Sequence, residues 1–225
     1  MTKRFTPHLD ILPPAQLTLW PQLKPAQDLG FVLYGGTAIA LRLGHRSSID
    51  FDFFSSEALD RAAISAAFDF VPAALTRQEA PDTWVMAVPA VAGAHSHVQV
   101  AFYGGISFGR VGEPELADDE VLLAASLQDL MGTKLKVILQ RAEKKDYQDI
   151  AALVRAGGKL EEGLGAARAL YGQAFQPAEA VKALTYFADG DLDQLSDADC
   201  KLLVEAATGV TEVPEVALAS HQLIV

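Results

Sequence analysis

Asp50 and Asp52, separated only by Phe51, are the residues of this chain best placed to do chemistry. In extended backbone successive side chains alternate faces. The two carboxylates therefore project from one side, and Phe51 and Phe53 from the other. Like charges on one strand face repel unless a cation neutralises them. Oxygen ligands of this kind suit Mg²⁺ or Mn²⁺. Two such ions about 4 Å apart activate an attacking oxygen and stabilise a leaving pyrophosphate. The competing reading is a solvated strand face that holds nothing.

Gly35, Gly36 and Thr37 precede the pair, between an apolar run at 31–34 and a short apolar segment at 37–43. Glycine tolerates positive φ and lets backbone approach a ligand. The free N–H groups of the helix that follows, and its dipole, favour an anion such as phosphate. Ser48 lies two residues before Asp50, hence on the same strand face, as a phosphate contact, a support for the metal ligands or a turn residue. Arg46 reads equally as a phosphate contact or a surface arginine. His45 reads as a loop residue.

A second group lies in "TKLKVILQRAEKKDYQDIAALV" (133–154). Lys134 and Arg141, seven apart, are expected on one helix face, and Asp146 and Asp149 share another. One reading is an amphipathic helix pair with solvated salt bridges, each worth under about 1 kcal/mol. The other puts Lys134 on a nucleotide phosphate as a point charge, with one of the aspartates as a base or as the group that orients the lysine. Spacing alone favours the first.

The elements that must carry these groups follow from pattern and punctuation. A helix interrupted at Pro21 spans 14–28, with buried strands at 31–34 and 49–54. Helices are expected at 37–43 and 57–69. Strands at 82–88 and 97–103 are joined by a Gly/His turn, and 106–111 adds a short strand. An acidic connector, "GEPELADDE", follows. Ser126 and Asp129 form a capping box that starts a helix running to about 140. Further helices are expected at 147–155, 161–173, 178–186 and 197–207. A mixed half followed by a helical half is an α+β architecture, divided at 1–112 and 113–225.

Half of the 225 residues are hydrophobic and mean hydropathy is +0.18, which excludes a disordered chain. No run of 18 apolar residues and no basic-then-apolar leader is present, so the chain is expected to lie in the cytoplasm with no membrane partner. The single cysteine, Cys200, excludes a disulfide framework and a cysteine metal site. Net charge is −11 but uneven. Residues 134–159 hold 7 basic and 3 acidic side chains, and residues 160–225 hold 3 basic and 11 acidic. The chain as a whole repels nucleic acid, while one helical segment is locally basic.

"GGTAIALRLGHRSSIDFDFF" followed by "KLKVILQRAEKKDYQDIAAL" resembles the AbiEii/AbiGii-type toxin nucleotidyltransferases of the DNA polymerase β-like superfamily. The Gly-Gly-Thr turn, the Arg-x-Ser-x-Asp-x-Asp strand, the helical lysine and the Lys-Asp-x-x-Asp helix all occur in order, and the likeness covers roughly residues 30–192. The resemblance implies a small mixed sheet with flanking helices, then a helical domain closing a nucleotide cleft. It implies nucleotidyl transfer from an NTP with Mg²⁺, a tRNA or protein acceptor and, for some members, a separate antitoxin protein. Carried over by position, Gly35, Gly36 and Thr37 cradle triphosphate with Arg46 nearby, and Ser48 sits beside the metal. Asp50 and Asp52 hold the metal, Lys134 contacts phosphate, and Asp146 is the essential acid of the last motif. One departure stands out. Superfamily members commonly carry a third carboxylate on a later strand, where this chain offers Gln99 and Ala101; Asp82 has the wrong spacing. A catalytically silent nucleotide- or partner-binding module is therefore the alternative.

Overall fold

The computed structural model describes residues 3–90 and 97–224. Two compact units divide the chain. The first comprises Met1–Gly109, Glu113–Ala125 and Ser220–Val225; the second comprises Arg110–Gly112 and Ser126–Ala219.

The first unit is a mixed sheet with short helices. In chain order it contains β1 (Arg4–Phe5), α1 (Pro14–Leu19), α2 (Pro25–Asp28), β2 (Val32–Tyr34), α3 (Gly35–Leu43), β3 (Asp50–Phe54) and α4 (Arg61–Ala67). β4 (Leu75–Ala80), β5 (Thr83–Pro89), β6 (His97–Tyr103), β7 (Glu115–Ala117) and β8 (Leu123–Ala124) follow. Among the described residues the strands order as β1-β7-β8-β2-β3-β6-β5-β4. β3 is central, antiparallel to β2 and parallel to β6.

The core forms where β3 and β6 turn their apolar side chains the same way. Phe51, Phe53, Val98, Val100 and Phe102 are all fully buried. Phe102 stacks on Phe53 at 5.4 Å and meets Phe31 and Phe68 at 5.0 and 5.2 Å. Trp20, in the 3₁₀ turn between α1 and α2, approaches Phe51 at 6.4 Å.

The second unit is helical: α5 (Leu127–Val137), α6 (Lys144–Arg155), α7 (Leu160–Tyr171), α8 (Pro177–Ala183) and α9 (Asp197–Gly209). The capping box forms as the sequence predicts. Ser126 Oγ accepts from the Asp129 N–H at 3.0 Å and donates to Asp129 Oδ2 at 2.5 Å. Asp129 also accepts from the Val111 and Gly112 N–H groups. Burial still pushes its carboxyl above the usual range, against those hydrogen bonds and the charge of Arg110. α5 packs on α7 at Gly163, where a Cβ would run into Met131.

The α+β class is as expected, but several elements differ from the pattern reading. The acidic connector is not a plain linker, since it supplies β7 to the sheet, and β8 follows shortly after it. Asp119 accepts from the Trp20 indole at 2.7 Å, and Glu120 pairs with Arg4 at 2.6 Å. β4 escapes pattern reading because all six of its residues are exposed, so no alternation marks it. Main-chain pairing with β5 makes it a strand. Residues 106–111 form no strand, and α4 starts only at Arg61, where Asp60 accepts from the Ala63 N–H at 2.9 Å. The Gly/His turn expected between β5 and β6 falls at 91–96, outside the described residues. Among the described residues no helix is long and apolar enough to cross a membrane.

Phe102→Ala is expected to destabilise the first unit by about 3–5 kcal/mol, the usual range for deleting a buried aromatic. A guanidinium titration followed by near-UV circular dichroism will measure it.

Candidate functional site

In the first unit the glycine turn and the carboxylate strand meet. β2 ends at Tyr34, which pairs with Asp52, and the chain turns at once into α3. Gly35 makes that turn with φ +74°, a conformation an L side chain adopts only under strain. A Cβ on it would stand 3.0 Å from Asp52 Oδ2. Gly35 and Gly36 are partly exposed, and no side chain caps the N-terminus of α3. The first backbone N–H groups of that helix therefore lack intrahelical acceptors.

Asp50 and Asp52 lie half-buried on one strand face, with Phe51 and Phe53 in the core behind them. The parallel pairing with β6 sets Gln99 beside Asp50, Ala101 beside Asp52 and Tyr103 beside Phe54. One strand further, Ala87, Val85 and Thr83 continue the same rows. No acid occupies these register positions. Among the described residues no group of three or more carboxylate, histidine or cysteine side chains converges as a metal cage. Two carboxylates completed by substrate phosphate oxygens are nonetheless a suitable donor set for one hard divalent cation. Tyr103 feels the pair: burial first, then the charges of Asp52 and Asp50, push its phenol above the usual tyrosine range. It was not among the residues singled out from sequence, since only the β3–β6 register brings it here.

Thr37 and Ser48 are buried, with their hydroxyl oxygens 2.7 Å apart. The Thr37 hydroxyl also donates to the Asp50 carbonyl. Arg46 lies in the loop before β3 and donates to the Ser47 carbonyl at 3.0 Å.

In the second unit Lys134, Asp146 and Asp149 form one buried cluster. The Lys134 ammonium stands 2.5 Å from Asp146 and 2.7 Å from Asp149, and both carboxylates are fully buried. These are not the solvated surface pairs that spacing favours. Nor does Arg141 share a helix face with Lys134, because α5 stops at Val137. From the turn beyond, the Arg141 Nε still donates to Asp146 Oδ2 at 2.8 Å. Burial alone would raise the Asp146 carboxyl. The hydrogen bond from Arg141 and the charge of Lys134 overcome it and hold the group below the usual range. Asp149 shares the clamp on Lys134, a role its i,i+3 spacing from Asp146 signals.

A family profile described as nucleotidyl transferase AbiEii toxin, type IV toxin–antitoxin system, matches residues 22–215. An uncharacterised protein of Aquifex aeolicus (strain VF5) is 30% identical over 130 residues, which cover 57% of this chain and 59% of that protein. The match thus spans less than two thirds of that relative's length. Among solved structures, one described as a nucleotidyltransferase from H. pylori is similar at a TM-score of 0.58 and 17% identity, covering 86% of this chain and 92% of that one. MenT4, a nucleotidyltransferase toxin of Mycobacterium tuberculosis H37Rv, is 17% identical at a TM-score of 0.43, covering 86% and 88%. The first of these shares the fold.

Gly35→Ala is expected to cost about 1–2 kcal/mol in stability from the left-handed backbone alone, and to push Asp52 aside. Denaturant unfolding measures the first, and a crystal structure of the variant the second. The lowered Asp146 carboxyl gives a pH signature. Its contribution is complete above the ordinary aspartate pKa of about 3.9, and is lost as pH falls through the lower folded value. The stability difference between the wild type and Asp146→Asn, followed by unfolding from pH 7 to 2, should therefore stay constant down to about pH 5 and narrow below about pH 4.

Proposed function

The chain belongs to the AbiEii nucleotidyl transferase toxin family, and on that premise we propose that it moves a nucleotidyl group from an NTP to a tRNA or protein acceptor. The observation that carries this reading is the contact of the glycine turn with the carboxylate strand: Gly35 makes room for Asp52, and both Asp50 and Asp52 face the same way.

The chemistry joins an acceptor hydroxyl oxygen to the α-phosphorus, releases the hydroxyl proton to solvent, and breaks that phosphorus' bond to the bridging oxygen, so pyrophosphate leaves. In this reading the open N–H groups at the start of α3 seat the triphosphate by hydrogen bonds and helix dipole. Asp50 and Asp52 hold a divalent cation, Mg²⁺ or Mn²⁺, by oxygen ligands. When bound, such a cation offsets charge on the phosphates and the leaving group. Tyr103, kept neutral by burial and its acidic neighbours, faces the same side with a hydrogen to donate. Lys134 is assigned to phosphate and Asp146 to an essential supporting role. Asp146 and Asp149 hold the Lys134 ammonium at 2.5 and 2.7 Å. An antitoxin protein is the partner expected of this family.

A second reading has its own observation. Gln99 and Ala101 occupy the register positions beside Asp50 and Asp52 where a third carboxylate would stand. A chain so equipped binds one cation with its nucleotide and transfers nothing.

Both readings meet one experiment. The protein is incubated with each NTP and Mg²⁺ in the presence of total tRNA and cell protein, and the products are weighed by mass spectrometry. Transfer predicts a nucleotide-sized mass increase that Asp50→Asn abolishes. The silent module predicts thermal stabilisation by Mg²⁺ and NTP with no adduct from any of them.

A further inference from the structure

The entry of β3 is held by side chains, not by a neighbouring strand on the β2 side. β2 pairs with β3 only from Val32–Phe54 to Tyr34–Asp52, because the chain leaves the sheet at Gly35 to begin α3. Asp50, two residues earlier on β3, therefore has no register partner on β2. Its carbonyl accepts from the Thr37 hydroxyl. The preceding carbonyl, Ile49, accepts from Gln16 Nε2 at 2.8 Å, and Gln16 is buried at 4% exposure. Two successive carbonyls at the start of the carboxylate strand are thus fixed from α3 and α1.

Proton counting gives the direction of the α3 contact. A carbonyl has no proton to give, so the proton between Thr37 and Asp50 is Thr37's. A threonine hydroxyl carries one proton. The proton between Thr37 and Ser48 must therefore be Ser48's. Both hydroxyl protons are spent inside the protein, at sites only 3% and 7% exposed. A phosphate oxygen is an acceptor and needs a donor, which neither group has left.

We infer that Thr37 and Ser48 are positioning residues. Their relay, Ser48 hydroxyl to Thr37 hydroxyl to Asp50 carbonyl, replaces the strand pairing lost where β2 ends. It fixes Asp50 and Asp52 against the N-terminus of α3. Contact with the triphosphate then falls to the backbone N–H groups of Gly35 and Gly36. The inference deepens the nucleotide-and-cation reading of this site and rests on it.

The test compares Thr37→Val, which keeps the shape and removes the donor, with Thr37→Ser, Ser48→Ala and the Thr37→Val/Ser48→Ala double variant. Mn²⁺ affinity in the presence of a non-hydrolysable NTP is measured by calorimetry. Nucleotide affinity without metal, and stability, are measured in parallel. Loss of a group that orients metal ligands weakens metal binding by about 10- to 100-fold. Thr37→Val and Ser48→Ala should each weaken Mn²⁺ binding on that scale, the double variant no further, and Thr37→Ser should restore it. Unchanged Mn²⁺ affinity in Thr37→Val overturns the inference. So does a loss of metal-free nucleotide affinity in Thr37→Val that Ser48→Ala does not share, which would make Thr37 a phosphate ligand. If the wild type binds neither Mn²⁺ nor NTP, the reading of the site fails and the metal role with it. The stability data then judge the relay alone: non-additive losses in the double variant support it, and additive losses overturn it.

Discussion

Phe51 and Phe53 go inward, and that constraint fixes the rest of the first unit. Both are fully buried against Phe102 and its neighbours. Burying aromatic rings of this size stabilises by several kcal/mol, of the order of 1.5–3 kcal/mol for each side chain. A one-residue slip of β3 would send both rings to the other face and draw two carboxylates into the core. The outward aim of Asp50 and Asp52 is therefore enforced by apolar burial behind them. The parallel ladder to β6 then decides what stands beside them: Gln99, Ala101 and Tyr103, and no third acid.

The helical unit is organised by a charge. A lysine out of water is costly, and two fully buried carboxylates offset that cost at Lys134. Arg141 brings a second positive charge to Asp146 from the turn between α5 and α6. Arg141 is shared with Glu143, at 3.5 Å, on the exposed side of the cluster. Buried ion pairs of this kind are weak contributors to net stability compared with apolar packing, but removing one partner is strongly unfavourable. Lys134, Asp146 and Asp149 are thus held together as a set.

Family membership and donor count pull in different directions at the carboxylate face. The family is one of nucleotidyl transferase toxins, and a site for two cations would call for more carboxylate than a site for one. This chain presents two acids there, with a polar amide and a methyl group in the neighbouring rows. One cation with a triphosphate needs no more than that. The neutral phenol of Tyr103 adds a hydrogen-bond donor to a face otherwise rich in acceptors, a different chemistry from a third carboxylate.

Much of this was legible in the residues themselves. Alternation put Asp50 and Asp52 on one face, the glycine pair marked a turn into a helix, and Ser126 with Asp129 located the start of α5, because each depends on neighbours within a few positions. β4, β7 and β8 were not legible, since six exposed residues or two- and three-residue strands carry no periodicity and exist only through pairing with distant segments. The burial of Lys134 was also hidden. Spacing places charges on a helix face but does not say whether water reaches that face. The sequence by itself determined that Asp50 and Asp52 share one strand face and that a glycine turn opens a helix just before them. Only tertiary structure decided that Thr37 and Ser48 face each other across eleven positions and that Tyr103 lies along the carboxylate strand, because strand register and burial are set by contacts between residues far apart in the chain.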